Sequence, residues 1–169
     1  MNDAQFWDLI DSTRRGVAND PDAHIEALTA ALAGLPESEI IDFDRIFTEL
    51  WFKAYTWDLW AAAYIIGGGC SDDGFMDFRG WLISRGRKVY EAALADPQSL
   101  LKVVKDEDDE CQIEGYQYAA AQAWSRKMVK EYSEFPYPRT APSPTEPSGE
   151  NWTEEDLPRR FPRLWRRFS

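Results

Sequence analysis

Asp72, Asp73, Asp77 and Arg79 are the residues whose types and spacing come nearest to chemistry, and they follow three consecutive glycines in the stretch GGGCSDDGFMDFR. A glycine run opening a helix is the form of loops that cradle phosphate, because free backbone amides and the helix dipole then face an anion. Here Asp72 and Asp73 stand at the first helical positions, where a phosphate must approach. No Gly-Lys-Ser/Thr follows to supply a lysine and a metal-binding hydroxyl. The charges therefore reject phosphate, and a pocket at this junction should prefer cations. Asp73 and Asp77, four apart, share one helix face. Oxygen ligands suit magnesium or calcium, and magnesium-assisted hydrolysis uses such carboxylates. The competing reading, which the sequence favours, is structural: Ser71 caps the helix and the first-turn aspartates complement its dipole. The metal is left open, and no cofactor is implied.

Arg79 stands between Phe78 and Trp81, so its guanidinium is expected to be partly buried and to need a fixed partner. Asp58 or Asp73 would serve as that partner, with recognition of a ligand carboxylate as the alternative. Asp58, the lone charge in WDLW, is either a tether for the core or a site residue facing a cavity. His24 is the only histidine. Its place early in a helix suggests exposure, and its solitude removes a histidine-pair metal site. Cys70 and Cys111 both neighbour acidic residues, which oppose a reactive thiolate.

The elements that must position these residues are helices. Asn2 or Asp3 can cap a first helix carrying Phe6, Trp7 and Ile10, and Asp20 before Pro21 is a sharper start for a second. Gly34 and Pro36 end the second and open a third, where Ile40, Phe43, Phe47, Leu50 and Trp51 recur every three or four residues. Residues 57–66 are almost wholly apolar and predict a central helix stopped by the glycines. Phe75, Phe78, Trp81 and Leu82 give the next helix its buried face, and Gly86 ends or bends it. Asp96 with Pro97 repeats the cap-and-proline start. The acidic run DEDDE at 106–110 reads as a solvated loop, and Ile113, Tyr116, Ala120, Trp124, Met128 and Tyr132 predict one long final helix. With no alternating apolar and polar strands, the expectation is an all-α, bundle-like domain at 1–135.

After Phe135 the composition turns to proline and serine, predicting an extended linker at 136–151 and a separate tail at 152–169. Five of the 19 basic residues lie in that tail, leaving 14 against 30 acidic residues before Arg159. Opposite charges on one chain invite docking. Trp152, Phe161 and Trp165 would anchor the tail in a groove while Arg163 and Arg166 pair with acidic surface, on the same subunit or on another copy. A segment left free to recognise another protein or an anionic surface is the alternative. The formal charge of −11 over 169 residues disfavours nucleic acid and anionic membrane as partners and suits a basic protein. The longest apolar run is far short of the ~20 residues a spanning helix requires. With no secretory leader pattern and only two cysteines, the expected location is the cytoplasm.

FWDLI at 6–10, AYTWDLWAAAYIIGGGCSDDGF at 54–75 and DFRGWLISRGRKVYEAALADP at 77–97 resemble the bacterial domain-of-unknown-function family numbered 4240 over roughly residues 3–135. The resemblance implies no established reaction, and an accessory or regulatory role fits it. The sequence therefore favours a non-enzymatic binding or regulatory module for a basic protein partner. The alternative is an enzyme or a small-ligand or metal-binding protein built on Asp58, Asp72, Asp73, Asp77 and Arg79.

Overall fold

The computed structural model describes residues 1–17, 20–104, 111–138 and 141–169, so the acidic run at 106–110 lies outside the described residues. Those residues form an all-α, multi-helix domain without a β-strand. The helices are α1 (Asp3–Arg15), α2 (Pro21–Ala33), α3 (Glu37–Lys53), α4 (Trp57–Gly67), α5 (Asp72–Ser84), α6 (Arg87–Ala95) and α7 (Ala119–Met128), followed by short α8 (Leu157–Arg160) and α9 (Pro162–Phe168). Among them none is long and apolar enough to cross a membrane.

The starts of these helices follow from local chemistry. Asn2 and Gln5 form a reciprocal capping box, and Asp20, Thr56 and Ser71 each accept a backbone N–H three residues on. At the end of α4, Gly68 adopts φ +64°, a left-handed conformation that costs glycine little and sends its own N–H back to the Tyr64 carbonyl. The Asp96–Pro97 start opens a single 3-10 helix, Pro97–Lys102.

The expected long final helix is shorter than its apolar spacing implies. Gly115 is left-handed at φ +81°, a 3-10 turn occupies Tyr116–Tyr118, and α7 begins only at Ala119. Ile113, which the periodicity places on that helix, instead donates its N–H to the Asp77 carbonyl of α5. The left-handed Val129 then stops α7 three residues before Tyr132.

Helix α2 packs on α1 and α7, α3 lies across α5 and α7, and α9 covers α4. Aromatic rings fill the interior. Phe6 meets Phe43, while Trp60 stacks on Phe75 with ring centres 4.9 Å apart. Such rings bury much area for few rotatable bonds, so this core is specified strongly. The tail lies on the same chain: Leu157, Phe161 and Leu164 are buried, and the chain before it is tied by Trp57 N–H to Ser148 O and Ser148 N–H to Tyr55 O, both 2.9 Å.

Candidate functional site

The carboxylates of α5 do not converge. Asp72 and Asp73 are exposed at the helix start, and Asp77 is half-buried, its carboxyl pushed above the usual range by burial and by Glu114 and Asp73. Among the described residues no three His, Cys, Asp or Glu side chains are grouped so as to hold a metal ion. Asp58 is drawn away to the tail, where Arg160 Nη2 donates to its Oδ1 at 2.6 Å. Cys70 is half-buried, and burial and Asp72 push its thiol up to about 11, which keeps it protonated at neutral pH.

Arg79 is buried, with 4% of its surface exposed, yet neither Asp58 nor Asp73 pairs with it. Its Nη1 donates to the Trp51 carbonyl at 3.1 Å and its Nε to the Phe75 carbonyl at 3.4 Å. Trp51 belongs to the last turn of α3, where carbonyls lack helical partners and the dipole is negative, so Arg79 caps that helix from outside. Aromatic faces complete the surroundings: the guanidinium carbon is 3.5 Å from the Trp51 ring centre and 4.6 Å from that of Tyr55. The expected carboxylate partner is thus replaced by a helix end and π-faces. Burial lowers the Arg79 pKa to about 10, leaving it charged at neutral pH. Arg79 and Asp72 line one cavity of about 430 Å3 with Trp51, Tyr55, Ser143 and Thr145.

A second cavity, of about 220 Å3, shares the Trp51 and Phe52 wall of α3 and is lined in part by Asp44. Phe47, Tyr118 and Tyr137 complete its aromatic lining, with Gln117 beside them. Asp44 is 5% exposed and, among the described residues, receives no hydrogen bond and forms no ion pair. Burial raises its pKa to about 6. The buried Gln117 Oε1 finds no donor among the described residues either. Around the mouth stand the exposed side chains of Tyr118, Tyr132 and Tyr137, with Tyr137 donating from its hydroxyl to that of Tyr132 at 3.4 Å. Two acceptors without donors among the described residues thus lie among aromatic faces, an arrangement whose chemistry is complementary to a cation bearing N–H groups. Sequence reasoning missed Asp44 because it sits within an amphipathic helix where DFD reads as a polar face. A signal was present: the helical spacing of Ile40, Phe43 and Phe47 places Asp44 beside the apolar stripe.

His24 is also buried, 2% exposed, which corrects its expected exposure. Its Nε2 lies 3.2 Å from Thr13 Oγ1 and 3.4 Å from the Tyr116 hydroxyl, so contacts with α1 and the Tyr116 turn draw it inward.

The expected tail anchors differ in their places. Trp152 is half-buried and donates from Nε1 to the Trp57 carbonyl at 2.8 Å; Phe161 is buried and Trp165 half-buried. Arg163 pairs with Asp96 at 2.7 Å. Arg166 is exposed and forms no ion pair among the described residues, because Arg160 rather than Arg166 takes the position above α4. Arg160 was not singled out by the sequence, where it is one arginine among several.

No curated protein and no solved structure matches the chain. A family model matches residues 1–126, leaving Tyr132, Tyr137, Ser143, Thr145 and the tail outside it. On that match over most of its length, the chain belongs to the family described as "Protein of unknown function (DUF4240)".

Proposed function

We propose that this protein is a non-enzymatic binding module that receives the lysine side chain of a basic protein partner in the Asp44 cavity. The observation that carries the reading is Asp44 itself, a nearly buried carboxyl group with no donor among the described residues, opening into an aromatic-walled cavity. A buried carboxylate without a partner is costly, and an ammonium group would supply both charge and hydrogen bonds. The cavity's ~220 Å3 is smaller than the roughly 300–1,000 Å3 of drug-sized ligand sites, which suits one side chain rather than a whole metabolite.

The exposed tyrosines at the mouth add to this, since tyrosine is enriched where protein interfaces concentrate their binding energy. The net charge of −11 would speed encounter with a basic partner. Leu157, Phe161 and Leu164 of the tail are already buried in their own chain, so the partner is assigned to the tyrosine face rather than to self-association through the tail. Two cysteines that form no disulfide, Cys70 and Cys111, suit the reducing cytoplasm as the place of action.

The test uses Nα-acetyl-lysine amide as probe, titrated into the full chain and followed by NMR. Saturable shifts of Tyr118 and Tyr137 are expected, with at least tenfold weaker binding of the Nζ-trimethylated probe, which offers no ammonium N–H to Asp44 or Gln117. Equal binding of the two probes, or shifts that never saturate, would reject the reading.

A further inference from the structure

We infer that the larger cavity, on the Arg79 side of α3, is a binding site for a small organic monocarboxylate. Arg79 has five N–H donors in a planar fork, and the carbonyls of Trp51 and Phe75 occupy two of them. Its Nη2 makes no hydrogen bond to any described residue, and the side chain lines the cavity. The buried cation therefore has no carboxylate partner among the described residues, and the N–H groups its carbonyl acceptors leave over belong to a side chain that lines the space. A carboxylate supplies both requirements, because its two oxygens fit the guanidinium edge and its charge neutralises the site.

The walls narrow the class of anion. Phe52 and Met76, with the ring edges of Trp51 and Tyr55, bring apolar surface to the lining for the body of an organic acid, and the hydroxyl-bearing Ser143 and Thr145 form another part of it. Asp72, on the same cavity, penalises additional negative charge, so phosphate and dicarboxylates are disfavoured relative to a monoanion. A carboxylate here would depart from the preference for cations expected at the glycine junction. Ser143 and Thr145 belong to the proline-rich segment beyond the family match, so the match does not extend to this wall.

Ligand-observed NMR with benzoate on the full chain tests the inference, with benzylamine and inorganic phosphate as controls of altered charge. Saturable binding of benzoate is expected, at least tenfold tighter than either control. Arg79→Lys, which keeps the charge but not the planar fork, should weaken benzoate at least tenfold. Because Arg79 also caps α3, Ser143→Glu provides a variant at an exposed position that leaves the core untouched. Its carboxylate should compete in place and lower benzoate affinity at least tenfold. Asp44→Asn should leave benzoate binding unchanged, which separates this site from the lysine cavity. Benzoate that does not saturate, that binds no better than benzylamine, or that is indifferent to Ser143→Glu would overturn the inference.

Discussion

The guanidinium carbon of Arg79 stands 3.5 Å from the centre of the Trp51 ring, and Trp51 also walls the cavity that contains Asp44. Its indole is fixed by an Nε1–H bond to the Met76 carbonyl at 3.3 Å. One residue near the end of α3 thus borders a cavity lined by a buried cation and a cavity lined by a buried carboxyl, neither of them ion-paired among the described residues. Opposite charges that would satisfy each other in contact are kept apart by an aromatic partition, which leaves each available to a ligand.

Asp44→Asn should stabilise the protein. The folded pKa of about 6 lies above the ordinary 3.8, so the folded state binds the extra proton and stability falls as pH rises from about 4 to 6. The two-unit difference corresponds to roughly 3 kcal/mol lost by pH 7, part of which an unpartnered amide will retain. Urea denaturation should show the Asp44→Asn protein gaining about 1–3 kcal/mol at pH 7.5 and almost nothing at pH 3.5. Equal stability at both pH values would refute the penalty on Asp44.

His24 should give the opposite slope. Burial first, then Arg85 and Arg14, lowers its pKa from 6.5 to about 4, so the unfolded state binds the proton and stability is lost as pH falls through that window. His24→Gln should remove this loss and expose the Asp44 slope, with stability now falling as pH rises from about 4 to 6. Melting temperatures across that range check the sign; a variant whose acid sensitivity matches the parent would contradict it.

Helix existence was legible because caps and apolar spacing agree, as at Asp20–Pro21 and from Ile40 to Trp51. The final helix misled because Gly115 and the left-handed Val129 interrupt an otherwise continuous apolar period. Arg79 was legible as a buried cation from its aromatic neighbours, whereas its partner was not. The Trp51 carbonyl is 28 residues away and becomes a partner only through the crossing of α3 and α5. Asp44 and Tyr137 meet for the same reason, since only packing of α3 against α7 and the segment after it joins them.

Val129→Gly should stabilise the fold by ~1 kcal/mol, because a β-branched residue at φ +53° is strained and glycine is not. The side chain is 90% exposed, so little packing is lost. Thermal denaturation measures this directly, and a destabilised variant would show that Val129 contributes contacts outweighing its strain.

Arg160→Ala should loosen the tail. Its guanidinium holds Asp58 at 2.6 Å, the Asn151 carbonyl at 2.9 Å and the Glu150 carbonyl at 3.0 Å. Loss of this set should cost about 1–2 kcal/mol and speed proteolysis within residues 152–169. Arg166→Ala, at an exposed position, should change neither; equal effects of the two would deny Arg160 its role.

Calorimetric titration of Nα-acetyl-lysine amide into the parent and into Asp44→Asn tests most directly whether a lysine is seated on Asp44. Burial raises the Tyr132 hydroxyl above its ordinary value, so it stays protonated between pH 5 and 8 and leaves the response to Asp44. Saturable binding is expected in the parent at pH 7.5, weakening as pH falls below about 6 and at least tenfold weaker in the more stable Asp44→Asn protein. Equal affinity in the two proteins at pH 7.5, or an affinity that does not change between pH 7.5 and 5, would contradict a lysine seated on Asp44.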